Sequence, residues 1–321
     1  MKIHLLTENC SRRVFLKKGT FGAIATTGLL NSGGNSMLSS ASSLLKDWDS
    51  KVLTKQGGFT SGIEGPATDS EGNLYAVNYQ QQHTIGKITP EGRSEIFVTL
   101  PKGSTGNGIR FNSNEEMLVA DYTGHNILKI NMKTLEISVF AHEPKMNQPN
   151  DLAIGANDIL YASDPAWNKS TGQIWRIDTS GNVKLIEPNA GTTNGIEVSP
   201  NEQTLYVNES IQRNVWAYDL SPTGEISNKR LLIRFTDFNM DGMRCDIDGN
   251  LYITRHGKGT VAKVSPQGAL IGEIKLNGKK PSNLAFGGTD GKTCYVTLAD
   301  NGNIEVFQTD LPGRSWQLRQ K

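Results

Sequence analysis

One short signature comes round six times in this chain, and nothing else restricts its fold as tightly. Glu64-Gly65-Pro66, Asn107-Gly108-Ile109, Asn150-Asp151-Leu152, Asn194-Gly195-Ile196, Asp241-Gly242-Met243 and Asn283-Leu284-Ala285 stand 43, 43, 44, 47 and 42 residues apart. Ten or eleven residues past each anchor comes an apolar group such as Leu74-Tyr75-Ala76, Leu160-Tyr161-Ala162 or Leu251-Tyr252-Ile253. Turns such as Asp69-Ser70-Glu71-Gly72-Asn73 and Asp246-Ile247-Asp248-Gly249-Asn250 lie between. A second alternating run follows in each unit, for example Ile85–Ile88, Ile174–Ile177 and Val261–Val264, and then a shorter fourth strand such as Ser94–Val98. Four short strands in a unit of this length is the period of a β-propeller. Helical periodicity is not sustained in the repeat region, which excludes helical solenoids.

The expected fold is therefore all-β: a six-bladed β-propeller with four-stranded blades. The sixth unit has no clear fourth strand after Gln308, while Lys51-Val52-Leu53-Thr54 is an unassigned extended run ahead of the first anchor. This N-terminal strand is predicted to complete the last blade and remove an exposed sheet edge. The tail, Thr309 to Lys321, is expected to cross the outside. Abundant glycine (34 residues) and a modest apolar fraction of 36% suit many short strands joined by tight turns. A net charge of +1 without a basic block excludes a nucleic-acid or anionic-membrane partner as the reading of choice.

Ahead of the repeats, Ser11-Arg12-Arg13-Val14-Phe15-Leu16-Lys17 precedes an apolar stretch, Gly19 to Leu30, and a small polar run, Asn31 to Ser43. That order is that of a signal peptide, and the paired arginines resemble a twin-arginine export signal. Residues 1–43 are thus expected to be signal and linker, and 44–321 a single propeller domain. The expected localisation is periplasmic or secreted, with the twin-arginine export machinery as a partner and no membrane association once the signal is removed. Of the cysteines, Cys245 and Cys294 lie in predicted strands, where a buried thiol is favoured over a bridge.

In a propeller the innermost strands line a central channel, so the six anchors should meet at one mouth of it. Fourteen residues further on in five units stand Asn78, Asp121, Asp164, Asn208 and Arg255, with Leu298 in the sixth after a one-residue insertion, giving a second and mostly polar ring. Polar groups facing a packed interior need a partner. A hard cation with oxygen ligands supplies one. With no Cys or His among the anchors, calcium, magnesium or manganese fits better than a soft metal. Turn chemistry alone also favours Asn, Asp and Gly at such positions. The mixture of two acidic anchors with amides tilts the reading toward a site.

Glu64-Gly65-Pro66, Asn150-Asp151, Asn194-Gly195 with Ser199-Pro200, and Asp241-Gly242-Met243 with Asp248-Gly249-Asn250-Leu251-Tyr252 resemble, in order, the motifs of the SMP-30/gluconolactonase/LRE family. The resemblance runs from about Gly62 to Val306. It implies a divalent cation in the channel (Ca2+ first, then Mg2+, Mn2+ or Zn2+), with Glu64, Asn194 and Asp241 as ligands. It also implies Asp241 as general base and Asn150 as a further ligand or substrate contact. Asn107 and Asp121, at repeat-equivalent places, are further candidates for substrate contact. Asn283 is read as only the start of a strand. Animal members carry Arg two residues before the Asn150 position, where this chain has Gln148.

The implied activity is metal-assisted hydrolysis of a sugar-acid lactone. The alternatives are a promiscuous metal-dependent esterase or phosphotriesterase in the same cup, and a non-catalytic ligand-binding propeller with a structural metal. A serine hydrolase is disfavoured, since no G-x-S-x-G precedes a helix. His125 and His256 are read as surface or supporting residues rather than catalytic ones. Trp175 and Trp216 are assigned to blade core, and Trp167 to a loop on the same face as the anchors.

Overall fold

The computed structural model describes residues 49–320. The export signal expected in residues 1–43 lies outside them. Strands arrange into six four-stranded antiparallel sheets, each built from consecutive strands except the last. The innermost strands of blades 1 to 6 are Phe59–Thr68, Gly106–Phe111, Leu152–Ile154, Thr193–Val198, Met243–Cys245 and Pro281–Gly287. Lys51–Val52 pairs antiparallel with Asn303–Gln308, Lys51 opposite Val306, and so supplies the fourth strand of blade 6. Leu53 N–H donating to the Ile304 carbonyl (2.9 Å) and Ile304 N–H donating to the Thr54 hydroxyl (2.9 Å) extend this closure. The fold expected from the repeats, including the N-terminal strand that completes the ring, is the fold observed.

The sequence produces these blades for simple reasons. The second strand of each unit is apolar on both faces, as in Leu74-Tyr75-Ala76-Val77, because each blade is covered by a neighbour on either side. Outermost strands such as Ser94–Thr99 are instead largely open to solvent. Six apolar clusters result, one between each pair of adjacent blades. Tyr75, Ile109 and Val119 meet between blades 1 and 2, while Phe59, Leu74 and Tyr295 close the ring between blades 6 and 1. The connecting turns are fixed locally. In the turn of blade 5, Asp246 Oδ1 accepts from Asn250 N–H at 2.9 Å, and Gly249 takes the left-handed conformation (φ +82°) that the turn requires. Cys245 and Cys294 are buried free thiols in different blades.

The course of the tail corrects one expectation. It does not cross the outside but folds under the channel, at the end opposite the anchors. Gly313 bridges to Asp246, and Ile247 N–H donates to the Pro312 carbonyl at 3.0 Å. Arg314, in the short helix Arg314–Leu318, is only 2% exposed. It donates to the Ile154 carbonyl (3.0 Å), to Glu197 (3.4 Å) and to Glu202. Arg319 reaches the Thr68 hydroxyl at 2.8 Å. These partners belong to the innermost strands of blades 1, 3 and 4 or to the turn after them, so the tail forms a floor. Inward-facing carboxylates of the innermost strands explain this path: Glu197 is buried and needs a cation there.

Candidate active site

The anchors converge because each stands on, or just before, the innermost strand of its blade. Gly65, next to Glu64, has φ +56°, and a Cβ there would stand 1.9 Å from the Asn107 carbonyl oxygen. Glycine is therefore demanded by the neighbouring blade rather than by a turn. Further round the ring, Gly108 N–H donates to the Asn150 carbonyl at 2.8 Å, and Gly195 N–H to the Asp241 carbonyl at 3.0 Å. The second anchor is thereby fixed to the third, and the fourth to the fifth, by backbone.

A cavity of about 220 Å³ opens at this mouth, lined by Glu64, Asn107, Asn150, Asn194 and Asp241. The Oδ1 atoms of Asn107, Asn150 and Asn194 are buried there without a hydrogen-bond partner. Unpartnered buried carbonyls of this kind are uncommon and costly. The Glu64 carboxylate accepts from Gly65 N–H (2.9 Å) and from the Asn283 amide (2.9 Å). Burial pushes Glu64 up from 4.5 to about 7, with Asp151 adding to the rise. Asp241 is raised well above the usual carboxylate range, first by burial and then by the charge of Glu64, while the Asn194 amide offsets part of the rise. Two buried carboxyl groups with raised proton affinity in one desolvated cup are suited to share a cation.

Among the described residues no cluster of three His, Cys, Asp or Glu is poised to take a metal. The donor set is instead two carboxylates with amide oxygens, which suits a hard cation. Glu64, Asn194 and Asp241 have the chemistry and placement to hold one, with Asn150 and Asn107 presenting further oxygens.

The structure does not bring Asp121 into this cavity. Its carboxylate is taken up by Ser104 Oγ (2.8 Å), Thr105 N–H (3.0 Å), Gly124 N–H (3.0 Å) and the Asn126 amide (3.0 Å), and it organises the loops of blade 2. The second ring as a whole works in this way. The Asn208 amide donates to the Asp241 carbonyl (2.6 Å) and Asn78 to the Gly62 carbonyl (2.6 Å). Arg255 is wholly buried against Asp237 and Glu273. Asn283, read as a mere strand start, holds Glu64.

Sequence reasoning gave too little weight to the cavity's upper wall, where Tyr122, Trp167, His256, Ser61 and Ser282 join the anchors. His256 is pushed below 6.5 by burial and by Lys280, so it stands neutral at pH 7. Trp175, as expected, is core, and its indole N–H donates to Asp164 at 2.8 Å. Directly beneath the cup, Asp151 accepts from both Nη atoms of Arg244 (2.7 and 3.0 Å) and from Arg110 (3.4 Å). Burial acts to raise Asp151, but Arg244 and Arg110 outweigh it and hold the group ionised. The signal for this network was present in the repeat: Asp151 stands where four of the other anchors are followed by glycine.

Fold and site together define a propeller with an oxygen-donor cup at one mouth of its channel. The chain matches the SMP-30/Gluconolactonase/LRE-like region over residues 62–300 and belongs to that family. It is 27% identical over 274 residues to a gluconolactonase of Zymomonas mobilis, covering 74% of this chain and 76% of that protein. Among solved structures, the calcium-binding protein regucalcin of Agrobacterium tumefaciens superposes with a TM-score of 0.72 at 20% identity, covering 83% of this chain and 95% of the other. A gluconolactonase of Xanthomonas campestris superposes with a TM-score of 0.70 at 18% identity, covering 81% and 89%.

Proposed function

We propose that this protein hydrolyses a sugar-type lactone, using a divalent cation held by Glu64, Asn194 and Asp241. The observation that carries the proposal is the convergence of two buried carboxyls and three unpartnered amide oxygens on one small cavity. Calcium is the first candidate for the cation, in keeping with the oxygen-only donor set and with the calcium-binding relative. When bound, the cation polarises the lactone carbonyl and offsets the charge that develops on its oxygen.

The residues of the chain do the rest. Asp241 accepts the proton of the attacking water. With the cation beside it, Asp241 would be held ionised and so able to take that proton. Water oxygen adds to the carbonyl carbon, the ring C–O bond breaks, and the departing oxygen takes up a proton to give the open hydroxy acid. Asn150 and Asn107 orient the lactone through their amide groups. Asn283 keeps Glu64 in place, and the buried Asp151–Arg244 ion pair lies on the neighbouring strands.

Acid release from glucono-1,5-lactone, followed with and without chelator, tests this directly. Chelator-sensitive, calcium-restored turnover is expected. Turnover that ignores chelator, or chelator that lowers the melting temperature of a protein with no turnover at all, contradicts it.

We further infer export through the Ser11–Lys17 signal. Replacing Arg12 and Arg13 with Lys should retain the protein in the cytoplasm of a bacterial host, and unchanged export would contradict the inference.

A further inference from the structure

Where the tail docks, it helps to line a second and much smaller cavity, away from the channel mouth. Arg110 of blade 2, Arg244 of blade 5, Thr68 of blade 1, and Ser315 and Arg319 of the tail form part of its wall. Its volume is about 20 Å³. A guest the size of one water needs roughly 10–15 Å³, so the cavity accommodates a single small guest. Three guanidinium groups line it, and no carboxylate does.

These arginines are unequally matched. Asp151 lies 2.7 and 3.0 Å from the Arg244 Nη atoms but 3.4 Å from Arg110. Arg110, 5% exposed, otherwise donates to the carbonyl of its own neighbour Ile109 at 2.6 Å. Arg319 donates to the Thr68 hydroxyl at 2.8 Å, and its Nε–H is buried without a hydrogen-bond partner. Acids close by are engaged elsewhere: Glu197 and Glu202 accept from Arg314, and Asp69 accepts from Asn73 and Tyr75. The proton affinities follow the same division. Burial lowers Arg110 to about 10, and the charge of Arg244 adds to the fall. Burial also lowers Arg319 to about 10, with Glu115 and Asp69 offsetting only part of it. For Arg244 burial acts the same way, but Asp151 outweighs it and raises the group.

We propose that this cavity is a binding site for a small monovalent anion such as chloride, held by Arg110, Arg319 and Ser315, and that the bound anion pins the C-terminal tail to the ring. Buried cations are costly unless an opposite charge meets them. A water would solvate the two guanidiniums without offsetting their charge, whereas an anion does both through charge-assisted hydrogen bonds. Phosphate and sulfate are too large for the volume. Because Arg319 belongs to the tail and Arg110 to an innermost strand, one anion ties the two together. This inference is independent of the hydrolytic reading.

The test uses the full chain at constant ionic strength, with sodium chloride exchanged stepwise for sodium isethionate, an organic sulfonate too large for the cavity. The melting temperature of wild type should rise with chloride and then level off. A rise of roughly 2–4 °C is expected, the response of a domain of this size to one ligand present at several times its Kd. Arg319→Gln should melt at a temperature that chloride does not move. Crystals of wild type grown in sodium bromide should show an anomalous peak between Arg110 and Arg319, a readout that needs no variant to fold. A water in place of that peak overturns the proposal. So does a wild-type melting temperature indifferent to the exchange, or an Arg319→Gln protein that responds to chloride as wild type does.

Discussion

At the mouth of the channel, burial raises the proton affinity of Glu64, burial and the charge of Glu64 raise that of Asp241, and three amide oxygens beside them lack partners. One layer deeper, Asp151 is equally buried but held ionised by Arg244 and Arg110. Deeper still, Glu197 is met by Arg314 of the tail. The same strands thus build two kinds of buried charge. The carboxylates of the floor are each met by a guanidinium, and the floor behaves as structure. The mouth is left incomplete, which is stability forgone where a ligand can restore it.

The contrast is most sharply tested by removing one carboxylate from each region. Asp241→Asn should lower kcat for lactone hydrolysis by about 10³-fold, within the range for loss of a general base, while the circular dichroism spectrum stays that of the folded protein. Asp151→Ala leaves two buried guanidinium groups without their shared partner and should cost about 3–5 kcal/mol of stability in urea unfolding. Equal effects of both changes on stability would erase the distinction between mouth and floor.

How much of this was legible in the chain depended on whether repetition marked it. The anchors and the Leu-Tyr triplets recur, so the blades and the convergence of Glu64, Asn107, Asn150, Asn194 and Asp241 were readable. The closing strand Lys51–Val52 was readable because the sixth unit visibly lacked one. Asp121 misled, because its distance from the anchor placed it in the ring but not which way its carboxylate turned; Thr105 and Gly124 draw it into their loops. Asn283 was undervalued, since its partner Glu64 lies 219 positions away, across the seam of the ring. The tail has no repeat to compare with, and Arg314 finds Glu197 only once blade 4 exists. His256 and Trp167 belong to loops of differing length, where no periodicity applies.

Smaller effects follow from the tail and from the carboxyl pair. Arg314→Ala should cost about 2 kcal/mol, the scale of lost hydrogen bonds to charged partners, with kcat unchanged because the floor does not touch substrate. A matching loss of kcat would mean that the two regions are coupled rather than separate. For the pair at the mouth, the folded pKa of Glu64 lies above its unfolded value. Its contribution is therefore fully present below about 4.5 and is lost as pH rises through about 7. In chelator, the melting temperature of wild type should fall between pH 5 and pH 8 relative to that of Glu64→Gln, and saturating calcium should remove the difference. Asp151, whose pKa is lowered, exerts its effect below that window. Parallel pH profiles for the two proteins in chelator would count against an uncompensated pair.

The most direct test is calorimetric titration of chelator-stripped protein with calcium chloride. One cation per chain is predicted for wild type and for Arg314→Ala, with binding abolished in Asp241→Asn. Wild type that takes up no calcium, or Asp241→Asn that binds it as wild type does, would contradict the assignment of the channel mouth as the cation-dependent centre.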